Sequence, residues 1–255
     1  MGVSWKGSIS FGLIYIPVSL YVATRKESIG FNMLHKDCHM RIHYKKVCDY
    51  CDKEVKSNDI VKGYNYEDDK YVIFTNDDLE KIKTPKDKNI HILQFVDISE
   101  IDPVFYEKAY FIVPNGGEKA YELLKKALSE TNKVGIAKVV FGTKETLVAL
   151  RVAHDKMILN TLYFVQEINS IQVPYINIDL NQAEVDLAKQ LIMQMVEPFS
   201  PEKYHDEYLE KLKVAIEQKI EGKEISVPKE KEEKNIINLM DALQESIKQT
   251  TQTRV

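Results

Sequence analysis

One change of hydrophobic period, from two to about 3.6 near residue 180, constrains the fold of this 255-residue chain more than any other feature. Before it, apolar residues alternate. Ile9-Ser10-Phe11-Gly12-Leu13 mixes apolar with small residues, and Ile16, Val18, Leu20 and Val22 continue on one parity. Successive side chains of a strand point to opposite faces, so the pattern describes strands with one face buried. Further strands are expected over residues 60–66 and 71–75, joined as a hairpin across Glu67-Asp68-Asp69, and over 90–98, 105–113, 134–141, 145–152 and 157–165. Gly142-Thr143-Lys144 supplies a tight turn between two of these. Strands at roughly ten-residue spacing with little helix between them predict an antiparallel barrel or sandwich. One helix interrupts, over residues 118–130, with Ala120, Leu124, Ala127 and Leu128 on one face and Asn115-Gly116-Gly117 at its entry.

Beyond residue 180 the spacing is helical. Asn181 and Glu184 make a reciprocal cap for a stripe of Val185, Ala188, Ile192, Met195 and Val196, which Pro198 ends. Ser200-Pro201 is expected to start a second helix, with Tyr208, Leu212, Ile216 and Ile220 as its stripe and Gly222 as its stop. Residues 223–234 read as a charged linker around Pro228. A last helix over 235–248 places Ile236, Met240, Leu243 and Ile247 on one side. That side docks back on the core, pairs with its copy, or fills a partner's groove. The expected organisation is therefore α+β: a strand-rich core over 1–180, a helical arm over 181–222, and a linker with a partner-binding helix over 223–255.

Charge excludes little. The net charge is -4, yet residues 1–180 hold 24 Lys and Arg against 24 Asp and Glu, so the acidity belongs to the C-terminal part. Within the core, Lys133, Lys138, Lys144, Arg151 and Lys156 outnumber Glu145 and Asp155. Likewise Lys36, Arg41, Lys45, Lys46, Lys53 and Lys56 outnumber Asp37, Asp49, Asp52 and Glu54. Solvated lysines on a β-surface explain any one such cluster as well as a nucleic-acid contact does. No apolar run approaches the roughly eighteen residues of a membrane span, so no membrane partner is expected. The N-terminus lacks a basic region followed by an apolar one, so a cytoplasmic location is expected.

Three cysteines suit a reduced chain better than a disulfide framework. His35-x-x-Cys38 followed by Cys48-x-x-Cys51 offers four ligands for tetrahedral zinc. A closed set of four leaves no position for a reacting water, so the metal would be structural. His39 or His43 could stand in for His35, and three buried free thiols beside a surface histidine would explain the same residues. No nucleophile elbow, phosphate-binding loop or dinucleotide glycine fingerprint occurs. Asp68-Asp69 and Asp77-Asp78 fit turn and helix-start roles. Neither an enzyme nor a catalytic cofactor is expected. Trp5 could stack on a base, but a single Trp beside a strand more often joins a core.

Several stretches together resemble the prokaryotic Ku family. They are Trp5-Lys6-Gly7-Ser8-Ile9-Ser10-Phe11-Gly12-Leu13 with Ile16-Pro17-Val18, Val47-Cys48, Asp59-Ile60-Val61-Lys62-Gly63-Tyr64, Phe95-Val96-Asp97, Glu100-Ile101-Asp102-Pro103 and Val134-Gly135-Ile136-Ala137-Lys138-Val139-Val140. Tyr204, Asp206, Tyr208 and Lys219-Ile220-Glu221-Gly222 extend the likeness. The resemblance implies a β-barrel related to the SPOC fold and a homodimer closing a ring around double-stranded DNA ends. It implies non-homologous end joining, with recruitment of an ATP-dependent DNA ligase of the ligase D type, and a nucleoid-associated location. Charge clustering inside the resembling region nominates Arg25, Lys26, Arg41, Lys45, Lys46, Lys133, Lys138, Lys144, Arg151 and Lys156 as DNA contacts. Leu239, Met240, Leu243 and Ile247 would engage the ligase. Many family members add a lysine-rich tail where this chain ends at Arg254-Val255, so tail-dependent bridging or sliding is not expected.

Overall fold

The computed structural model describes residues 2–82, 88–171 and 178–225. The chain divides into two units, residues 1–171 and 172–255. In the first, the alternation over residues 5–22 folds as a hairpin of β1 (Trp5–Phe11) and β2 (Ile14–Val22). Gly12, at φ 58°, takes the left-handed turn between them. Ile9 lies opposite Ile16, and these two with Val18 and Leu20 are almost fully buried on the inward parity. The next hairpin is β3 (Lys62–Glu67) with β4 (Lys70–Phe74), turning through Asp68-Asp69 as expected. Then follow α1 (Asn76–Lys81), β5 (Asn89–Asp97), β6 (Tyr106–Pro114) and α2 (Glu118–Thr131). The unit continues with β7 (Lys133–Phe141), β8 (Lys144–Ala153) and β9 (Lys156–Leu162). The short α1 begins at the acids that fit a helix start, and Asp78 and Thr75 cap it reciprocally.

The barrel alternative is the one realised. Seven strands close in the order β1-β2-β6-β9-β8-β7-β5 and back to β1. Every neighbouring pair is antiparallel except β1 with β5, which runs parallel from Ser8 opposite Asn89 to Ser10 opposite His91. Closure brings Gly7 against the β5 lead-in. A Cβ there would overlap both the Lys88 carbonyl oxygen and the Trp5 ring, so only glycine fits. Trp5 itself is half-buried against the core, edge-on to Phe141 at 5.9 Å.

Helix α2 buries Tyr121, Leu124 and Leu128 and packs on β2, β7 and β8. Other strands separate β2 from β7 and β8 around the barrel, so only a helix lying across one end meets all three. It seals the end where β1 finishes and β7 begins. The expected stripe is corrected at one position: Ala127 is exposed, and Tyr121 takes the buried place, its hydroxyl donating to the Ile112 carbonyl at 2.8 Å. At the opposite end β2 finishes and β5 begins, so the chain between them leaves and returns at the same rim, and its described residues from 24 to 82 form an arm.

The second unit contributes α3 (Gln182–Met195) and α4 (Glu207–Ile220). Asn181 accepts from the Ala183 N–H at 3.0 Å, capping α3 from one side. The second helix does not start at Pro201. That proline opens a single 3-10 turn over Pro201–Lys203, and the Asp206 carboxylate, accepting from the Leu209 N–H at 3.0 Å, caps α4 further on. Ile192, Met193, Met195, Val196, Tyr208 and Ile220 are exposed.

Candidate nucleic-acid interface and metal knuckles

The arm carries two copies of one small hairpin. Leu34 bridges Arg41, and thirteen positions on Val47 bridges Glu54. In the first, the His35 N–H donates to the Met40 carbonyl at 2.8 Å and the His39 N–H to the His35 carbonyl at 2.8 Å. In the second, the Cys48 N–H donates to the Lys53 carbonyl at 3.0 Å and the Asp52 N–H to the Cys48 carbonyl at 2.8 Å. His39 and Asp52 hold matching left-handed conformations, at φ 56° and 50°. The match puts His35 where Cys48 stands and Cys38 where Cys51 stands, while His39 occupies the turn position of Asp52. Among the alternatives for a fourth ligand, the repeat therefore favours His35.

Each knuckle holds its own pair. His35 Nδ1 lies 3.1 Å from Cys38 Sγ. The backbone N–H groups of Cys51 and Tyr50, then the Cys51 thiol, hold the Cys48 thiol below the ordinary cysteine value. Among the described residues no three His, Cys, Asp or Glu side chains converge as a metal group. The structure thus presents two separate pairs of candidate ligands. The donor set fits zinc, because thiolate and imidazole at this spacing are its usual ligands and N–H groups aimed at sulfur favour the thiolate that metal binding needs.

The ten nominated basic residues fall into groups that sequence proximity hid. Arg25 and Lys26 lie where β2 gives way to the arm, and Lys144 begins β8 at that same rim. Lys133, Arg151 and Lys156 lie toward the opposite end, the one that α2 covers, and Lys138 sits mid-strand. Arg41, Lys45 and Lys46 belong to the knuckles. Several already hold carboxylates: Lys133 with Asp97 at 2.7 Å, Lys138 with Glu145 at 2.8 Å, Lys144 with Glu167 at 2.9 Å and Lys45 with Glu54 at 2.8 Å. Such exposed pairs contribute at most about 1 kcal/mol, so a phosphate can compete for the cation. Arg151 Nε donates to Asn160 Oδ1 at 2.9 Å, and the Lys156 ammonium stands 5.3 Å from the Phe111 ring centre. Arg25, Lys26, Arg41 and Lys46 make no ion pair among the described residues.

Sequence reading missed Lys6 and Lys108, early in β1 and β6, and Lys88, just before β5, all toward the arm rim. Only the strand order reveals that these starts share one end. Across residues 24–62 of the arm, nine Lys and Arg face six Asp and Glu. Leu239, Met240, Leu243 and Ile247 lie outside the described residues. Among the described residues no helix is long and apolar enough to cross a membrane.

Residues 10–191 match the family model described as the Ku70/Ku80 beta-barrel domain. A protein of Lachnoclostridium phytofermentans named non-homologous end joining protein Ku is 47% identical over 246 residues, covering 96% of this chain and 96% of its own length. Proteins of the same name match from Archaeoglobus fulgidus (44% over 251 residues, 97% of this chain, 98% of theirs) and Bacillus subtilis (40% over 257 residues, 98% and 83%). Among solved structures, the SPOC domain of human PHD-finger protein 3 overlaps 63% of this chain and 95% of its own, at 12% identity and a TM-score of 0.30.

Proposed function

Because this chain belongs to the Ku family, we propose that it binds double-stranded DNA ends without regard to sequence and serves non-homologous end joining as a homodimeric ring. The observation that carries the reading is the arm. Its β3–β4 ribbon exposes Tyr64, Tyr66, Tyr71, Val72 and Ile73. Tyr64 opposite Val72 and Gly63 opposite Ile73 place apolar groups on both faces. A lone two-stranded hairpin is marginal in water, so both faces need cover. A second copy of the same arm supplies it, and two arms so joined enclose a space between their barrels.

A closed ring reaches DNA only by threading a free end, so preference for ends is steric. Lys and Arg inside it contact phosphates, which position the protein and carry no sequence information. Nothing in this mode of action makes or breaks a covalent bond, and we assign the protein no catalytic role. Zinc joining the two knuckles would hold the arm's shape as a structural metal. The segment with Leu239, Met240, Leu243 and Ile247 recruits an ATP-dependent DNA ligase of the ligase D type by its apolar side. DNA ends place the protein at the nucleoid in the cytoplasm.

The test compares linear duplex, covalently closed circular duplex, and linear duplex with both ends blocked by bulky adducts. Tight binding is expected only where an end is open; equal affinity for all three would sink the ring. Deleting residues 230–255 is expected to leave end binding intact and to abolish stimulation of the ligase, measured as joined product.

A further inference from the structure

At the arm rim the barrel interior is plugged by Tyr110 and Phe141, stacked at 5.9 Å and 29°. Tyr163 and Phe164, just past β9, wall a cleft of about 350 Å³ against them. All four residues are half-buried and line the cleft. Lys108 and Lys144 stand beside it with Glu107 and Glu167. At its floor the Thr161 hydroxyl donates to Glu107 at 3.0 Å and accepts from the Lys108 N–H at 3.0 Å. The Phe164 N–H and then the Lys144 ammonium hold the Glu167 carboxyl below its ordinary value, so both signs of charge persist there at neutral pH.

Such a lining selects its occupant. A hydrocarbon would shut the Lys144–Glu167 pair and the Lys108 ammonium, which stands 5.3 Å from the Tyr110 ring centre, away from water, and an inorganic anion would leave the rings unused. A flat heterocycle bearing amino groups, with a phosphate attached, uses rings, carboxylates and ammoniums together. The volume lies at the lower end of small-ligand pockets, about 300–1,000 Å³, enough for one nucleotide and too little for the flat end of a duplex. The cleft lies at the barrel end where Arg25 and Lys26 follow β2 and Lys88 leads into β5, so further cations stand at the same rim.

We propose that this cleft takes one unpaired nucleotide of a single-stranded overhang, so that the protein reads the structure of a DNA end as well as its presence. The proposal rests on the end-binding reading above. Fluorescence anisotropy on a blunt duplex and on the same duplex with a four-nucleotide overhang tests it. The wild type is expected to bind the overhang roughly 5- to 150-fold tighter, the range of one base–aromatic stack. Phe164→Ala and Tyr163→Ala should lower that gain with blunt-end affinity unchanged, and Phe164→Tyr should keep it. Should Phe164→Ala not fold, Phe164→Leu, which keeps apolar bulk without the ring, decides. Millimolar dAMP should cancel the overhang gain by competition. Equal wild-type affinity for both ends, dAMP binding without any overhang gain, or variants that weaken both ends alike would overturn the proposal. Loss of preference for linear over closed duplex is a different result, and it would refute end binding itself.

Discussion

Tyr121 shows how one side chain couples the helical cap to the barrel. Its ring is buried under α2 and its hydroxyl donates to the Ile112 carbonyl. Burial raises the phenol above its ordinary value near 10, more than the neighbouring Lys125 ammonium lowers it. The folded state therefore favours the neutral phenol. The stability tied to that preference is complete below the unfolded value near pH 10 and is lost as pH rises through the folded value. Tyr121→Phe is expected to lower stability by about 1 kcal/mol at neutral pH through the lost hydrogen bond. It should also flatten the alkaline limb, as read by urea unfolding from pH 7 to 11; an unchanged limb would reject the assignment. Tyr121 could have been found from sequence, since 121, 124 and 128 follow helical spacing. The hydroxyl deflected the reading toward Ala127, because a polar tip is accepted in a core only when an acceptor such as the Ile112 carbonyl is at hand, and sequence does not show the acceptor.

At the scale of elements, the knuckles and the ribbon make separable predictions. The Cys-x-x-Cys and His-x-x-Cys spacings were legible, but the choice among His35, His39 and His43 was not, because it depends on which residue takes the left-handed turn. One zinc per chain is expected by atomic absorption, displaced in Cys48→Ser and retained in His39→Ala; retention in Cys48→Ser would exclude the site. The ribbon was legible as a hairpin, since Asp68-Asp69 mark its turn, while its lack of cover was not. Tyr64→Glu should convert the proposed dimer to monomer in sedimentation with the circular dichroism of the barrel kept. A dimer that survives the substitution would move the interface elsewhere. The parallel closure of β1 on β5 was invisible to local pattern, because Ser8 and Asn89 meet across a long arm whose path no periodicity encodes.

For the whole molecule, the distribution of charge matters more than its sum. Lys133 and Lys156 cluster with Lys144 along the chain, yet the strand order sends them to opposite ends of the barrel. The logarithm of the binding constant falls with the logarithm of salt by about 0.9 per phosphate neutralised. Replacing Arg25 and Lys26 by Gln should reduce that slope by about one to two, and replacing Lys133 and Lys156 should leave it unchanged. Equal effects from the two pairs would mean that DNA does not prefer the arm rim. The arm itself has a topological consequence. It departs after Val22 and returns at Asn89 with only β1 between, a gap of two strand spacings, or about 10 Å. The barrel can therefore close its hydrogen-bond ladder whatever the arm is doing. A ring sealed through such arms could part at the ribbon while both barrels stay folded. Rejoined DNA has no end left to slide off, and a clamp whose clasp opens independently of its body has a way to let go.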